Sequence, residues 1–127
     1  MAIPKKIISR KDEITKDFFA LLERHMDDIL AGHTDKMYHI KDFAAELFIH
    51  PGHFSNTIKL TTGFSPCHFL EQRTLDEAKK MLLLGDMPIN EISYKLTFND
   101  PTNFTKFFKS FEGLTPKQFR KQHSANT

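Results

Sequence analysis

Apolar residues along this chain recur at helical spacing. Phe18, Leu22 and Ile29 share one face of a first segment, Phe54 and Ile58 stand four apart, and Phe104, Phe107, Phe108 and Phe111 form a stripe. No segment sustains period-two alternation, so no strand is expected. Six prolines punctuate the pattern: Pro4, Pro51, Pro66, Pro88, Pro101 and Pro116. Proline suits the first turn of a helix, where its missing N–H would have had no partner. Ser65, Asp100 and Thr115 each precede a proline and are N-cap candidates, while Gly32 and Gly85 are stop signals. The pattern predicts an all-α chain of about seven helices, over 12–31, 40–47, 51–62, 66–84, 89–96, 101–111 and 116–122.

The pattern also repeats itself. Ile40 and Leu47 match Ile89 and Leu96 at a separation of 49, and from there the separation is 50. At 50 apart stand Phe54 with Phe104, Ile58 with Phe108, Lys59 with Lys109, Gly63 with Gly113, Pro66 with Pro116 and Phe69 with Phe119. The extra residue falls in the turn between the paired short helices. The repeated unit is short helix, tight turn, second helix, Gly-x-[Ser/Thr]-Pro, next helix, and such a period signals a duplicated supersecondary unit. A helix of about 8 residues, a turn and a helix of about 11 is the helix-turn-helix pattern.

The second helix of each pair has a polar outer face. With Phe54 facing the core, Gly52, Asn56 and Lys59 lie opposite and Ser55 sits beside them. In the second unit Thr102, Lys106 and Lys109 lie opposite Phe104, with Thr105 beside them. Both faces are free of acids and partly basic, which suits base edges and phosphates in a major groove. A bridging helix of about 19 residues spans ~28 Å, close to the ~34 Å of one DNA turn, so one monomer is expected to read two adjacent major grooves.

Composition narrows the alternatives. The 127 residues carry a net charge of +2, with 13 Phe, 2 Tyr and no Trp, which fits a globular core rather than disorder. Residues 1–49 hold 8 Lys/Arg against 9 Asp/Glu, and residues 50–127 hold 10 against 7, so the basic bias lies toward the C-terminus. One cysteine excludes an intrachain disulfide, and Cys67 is expected to be half-buried and inert. No apolar run reaches the ~18 residues of a membrane span, so no membrane partner and a cytoplasmic location are expected. Seven histidines raise the question of a metal, above all His50 and His53 in HPGH, but neither Cys nor paired carboxylates stand near enough in sequence to complete a zinc set. His53 is expected to pack or to contact phosphate. No catalytic triad order or phosphate-cradling glycine loop is present, so neither an enzyme nor a cofactor is expected.

The run from Ile40 to Lys121 resembles the DNA-binding domain of the arabinose-regulator (AraC/XylS) family of bacterial transcription factors. The first unit reads IKDFAAELFIHPGHFSNTIKLTTGFSP, and the second INEISYKLTFNDPTNFTKFFKSFEGLTPKQFRK. Ile92, Phe98, Phe104, Phe108, Lys109, Gly113, Thr115, Pro116, Phe119 and Arg120 match the family's diagnostic second unit, and Phe69, Arg73, Ala78 and Leu82 match its bridge. The resemblance implies two helix-turn-helix subdomains joined by a long bridging helix, with the third and sixth helices in the major groove. By position Gly52, Ser55, Asn56, Thr102, Thr105 and Lys106 would face bases. His53, Lys59, Lys109 and Lys117 would meet phosphate, helped by the amides at the start of the seventh helix. Double-stranded DNA is the implied partner, with RNA polymerase as a further one, and a sensor or dimerisation domain is implied in a longer parent.

Three positions depart from the family pattern. His50 stands where a Ser N-cap is usual, which predicts a weaker cap. Asn56 stands where many members place Arg, which shifts a guanine contact toward adenine or toward none. Thr97 stands where Gly is favoured, and a β-branched residue resists positive φ, so the turn is expected to adjust. The resulting division is a leader at 1–11, a DNA-binding domain at 12–123 and a tail at 124–127. The rival reading is an all-α protein-interaction module that does not bind DNA.

Overall fold

Proline starts and glycine stops place most of the helices where the pattern put them. The computed structural model describes residues 9–124; the rest of the leader, with Lys5 and Lys6, and residues 125–127 lie outside it. The described residues form α1 (Arg10–Leu30), α2 (Ile40–Glu46), α3 (Pro51–Thr62), α4 (Pro66–Leu84), α5 (Ile89–Lys95), α6 (Pro101–Glu112) and α7 (Pro116–Ser124), with no strand among them. Helix α1 begins two residues before the expected start because Ser9 caps it: its Oγ accepts the Asp12 N–H at 3.2 Å and donates to Asp12 Oδ2 at 3.0 Å.

Two compact units result. The first comprises the described residues up to 27 together with 38–71, the second residues 28–37 together with the described residues from 72 on. In the first unit α1 supplies Ile14, Phe18, Leu21 and Leu22, α2 supplies Phe43 and Ala44, and α3 supplies Phe54 and Ile58, all buried. Phe18 lies at the centre, edge-on to Phe43 at 5.5 Å and to Phe54 at 5.2 Å. The hydroxyls of Thr15 and Thr61 bond at 2.6 Å, tying α1 to α3. In the second unit Leu75, Ala78 and Leu82 of α4 pack with Ile92, Leu96, Phe104, Phe108 and Phe119. Arg120 donates from Nε to the Leu82 carbonyl at 3.0 Å, fastening α7 to the end of α4.

The turn inside each helix pair is the same. Leu47 closes α2, the Phe48 N–H donates to the Ala45 carbonyl, and the Ile49 N–H donates to the Ala44 carbonyl. Leu96, Thr97 and Phe98 repeat those bonds toward Tyr94 and Ser93. This is a Schellman turn, whose central residue must be left-handed. Phe48 has φ 59° and Thr97 φ 72°. The expected adjustment at Thr97 therefore does not occur: two closing hydrogen bonds and the buried Leu96 hold the threonine in the glycine conformation. The extra residue of the second unit is Asn99, inserted before the cap.

Candidate nucleic-acid interface

Each second helix is fixed at both ends by its own sequence. Helix α3 starts at Pro51, and the His50 imidazole Nδ1 accepts the Gly52 N–H at 3.0 Å. The expected weak cap is thus a formed one, because an unprotonated ring nitrogen serves as acceptor where Ser would offer a hydroxyl. Helix α6 starts at Pro101, and Asp100 Oδ1 accepts the Thr102 N–H at 2.8 Å, the same bond in the other unit. Gly63 and Gly113 end these helices at φ 87° and 78°, and their N–H groups donate to the Lys59 and Lys109 carbonyls. Both glycines lie where a side chain would be strained.

The faces follow from those anchors. Phe54 and Ile58 are buried on α3, while Gly52, His53, Asn56 and Lys59 are exposed and Ser55 is half-buried. On α6, Phe104 and Phe108 are buried, Thr102, Lys106 and Lys109 are exposed and Thr105 is half-buried. Phe111 is the exception to the apolar stripe. It lies in the last turn, 41% exposed, and touches Phe107 with centroids 5.2 Å apart. Neither helix carries an acid in its first turn, and the lysine in each last turn sits where the helix dipole favours a cation. Among the described residues no carboxylate pairs with Lys59, Lys106, Lys109 or Lys117.

Other charges are spent inside the fold. Glu112, the last residue of α6, is held by Lys79 at 2.5 Å, and Arg120 is turned onto α4 carbonyls. Glu77 is buried between Arg73 and Lys80. Burial by itself would raise its pKa, but the hydrogen bond and charge of Arg73, joined by Lys80, outweigh burial and hold it below the usual value. At α7 the Thr115 N–H donates to Gln118 Oε1 at 2.9 Å and the Gln118 N–H donates to Thr115 Oγ1 at 3.1 Å. This capping box uses the Gln118 amide, and Lys117 beside it is exposed.

Two residues stand apart from what the sequence led one to expect. Cys67 is exposed rather than half-buried, because Pro66 and Phe69 turn the inner side of α4's first turn toward the core. His25 is a buried structural residue, 4% exposed, whose Nε2 accepts the Tyr38 N–H at 2.9 Å. Its place on the Phe18–Leu22 face of α1, at i+3 from Leu22, is the signal for that role. Among the described residues no group of three or more His, Cys, Asp or Glu is placed to hold a metal ion, and no helix is long and apolar enough to cross a membrane.

A helix-turn-helix domain family matches residues 43–122, from within α2 into α7. Over 97 residues the chain is 27% identical to the arabinose operon regulatory protein of Salmonella typhimurium, covering 76% of this chain and 34% of that protein. The chain belongs to the AraC/XylS family. The matched domain is one that binds double-stranded DNA sequence-specifically in transcription regulation and is not itself an enzyme. A histidine kinase of Formosa agariphila, P4, is 27% identical over 118 residues, covering 93% of this chain and 8% of the kinase. The chain thus spans about a third or less of the length of these curated relatives. The C-terminal domain of AraT, a response regulator from Geobacillus stearothermophilus, shares the fold with a TM-score of 0.77 and 24% identity, covering 90% of this chain and 88% of that one.

Proposed function

We propose that α3 and α6 are the two recognition helices and that they enter adjacent major grooves of one duplex. The observation that carries this reading is the repetition of one construction. Each helix has a side-chain cap on its second amide, a left-handed glycine stop, a buried aromatic inner side and an acid-free outer face ending in a lysine. Gly52, Ser55 and Asn56 face bases in the first unit, and Thr102, Thr105 and Lys106 in the second. His53, Lys59, Lys109 and Lys117 meet phosphate, where a flexible point charge suffices.

The domain runs from α1 through α7, between a leader and a tail. In a longer parent it serves as the output domain, joined to a sensor or dimerisation domain. The match to a small fraction of a histidine kinase supports that arrangement. RNA polymerase is the second partner of such an output domain, and the cytoplasm is where the reading places it.

Anisotropy titration of a random duplex of about 30 base pairs over a salt series tests the reading. Affinity should fall steeply with salt, as expected when several phosphates are neutralised. Sequence selection should then return a site with two separated half-sites. No binding even at low salt would remove the reading and favour the interaction module.

A further inference from the structure

The two recognition helices share one cap bond but solve its packing differently. In the second unit a short Asp100 caps the amide of Thr102, a residue with a branched side chain. In the first unit the cap is a full imidazole, His50, and the amide belongs to Gly52. A Cβ built on Gly52 would stand 3.2 Å from His50 Nδ1 and 3.4 Å from its Cε1. The approach to Nδ1 is tighter than an ordinary contact, and relieving it by moving the ring away lengthens the 3.0 Å bond that Nδ1 accepts. Gly52 has helical, negative φ, so no backbone conformation requires glycine there. Glycine in a first helical turn costs conformational entropy relative to alanine. Space for the ring is the physical reason the structure supplies for it.

We infer that His50 and Gly52 form one positioning device for the first recognition helix, in which the side chain at position 52 has been given up to admit the capping imidazole. The inference rests on the DNA-reading role of α3. His50 fixes the second amide of α3 and so the entry of the chain into the helix, a turn ahead of the places that Ser55 and Asn56 take on the outer face. A cap through Nδ1 also fixes the tautomer: the proton of the neutral ring sits on Nε2. Beyond its place on the outer face, position 52 acts through the ring it admits, and the two residues must change together.

The test is a double-mutant cycle on the selected operator, using His50→Ser, Gly52→Ala and both together. Serine keeps a cap acceptor but withdraws the ring. Gly52→Ala alone should weaken operator binding about five- to tenfold, consistent with the loss of one N-cap. In the His50→Ser background the same change should cost several-fold less, the remainder being the methyl's own effect on the outer face, with the salt slope unchanged in all four proteins. A Gly52→Ala penalty equal in both backgrounds would overturn the device while leaving the DNA reading intact. Should the unmodified protein bind no duplex, the DNA reading fails, and thermal melting of the same four proteins decides the pair independently. Long-range nitrogen-15 NMR of the free protein tests the cap directly. It should find the neutral His50 proton on Nε2, and a proton on Nδ1 would exclude the cap.

Discussion

Thr97 and Phe48 hold the same left-handed place in the two turns, and neither is a residue that favours it. A non-glycine residue there carries roughly 1–2 kcal/mol of strain, of which glycine's greater unfolded-state freedom returns a part. Phe48 is 93% exposed, so its side chain contributes little packing to set against that strain. Phe48→Gly and Thr97→Gly should each therefore stabilise their unit by about 0.5–1 kcal/mol, read as a higher midpoint in urea unfolding. Equal or lower midpoints would mean that these side chains have packing roles the burial does not reveal. On the proposed recognition faces the residue types should divide by partner. Lys59→Ala or Lys109→Ala should weaken binding to every duplex and lower the salt slope by about one, because each releases one phosphate contact. Asn56→Ala or Lys106→Ala should instead change the selected sequence. An unchanged motif from Asn56→Ala would remove that base contact.

Elements were legible where local chemistry is decisive. Proline at the first turn, glycine just past the last and apolar residues four apart gave α3, α4 and α6 their boundaries within a residue. Three features stayed hidden because they depend on contacts rather than on local sequence. His50 is outside the usual set of caps, so only its geometry shows that it accepts a bond. Arg120 reads as one more base in a basic tail, yet it closes the carbonyl end of α4. Ser9 caps α1 from a stretch without apolar periodicity. Helix α4 carries its own test in the group of Arg73, Glu77 and Lys80. The Glu77 carboxylate is favoured in the folded state, so its contribution is present above the unfolded value of 4.5 and is lost as pH falls through the lower folded value. Glu77→Gln should cost about 1–2 kcal/mol near neutral pH, since it leaves Arg73 without that charge. The variant and the parent should converge in thermal stability as the pH falls through the lowered folded value, beneath the unfolded 4.5. A constant gap across that range would place the effect in packing.

At the scale of the molecule the chain is two cores built on one plan, each with its own capped helix pair. Phe54 and Phe104 are the corresponding anchors, each fully buried. Phe104→Ala should cost about 3–5 kcal/mol and unfold the second unit. Selection with the surviving first unit should then return one half-site at reduced affinity; retention of both half-sites would refute the division of labour. The sequence repeat made this plan readable, since every pair from the caps onward is separated by 50 residues.

That constant offset has a practical side. Asn99, the added residue, lies ahead of Asp100 rather than within the helix, so the helices that follow the two caps align without gaps. Ser55, Asn56 and Lys59 therefore occupy the same lattice positions as Thr105, Lys106 and Lys109. On the proposed reading the outer faces are interchangeable parts. A graft of three side chains should then carry one unit's sequence preference to the other, with the His50–Gly52 couple travelling as a single cassette.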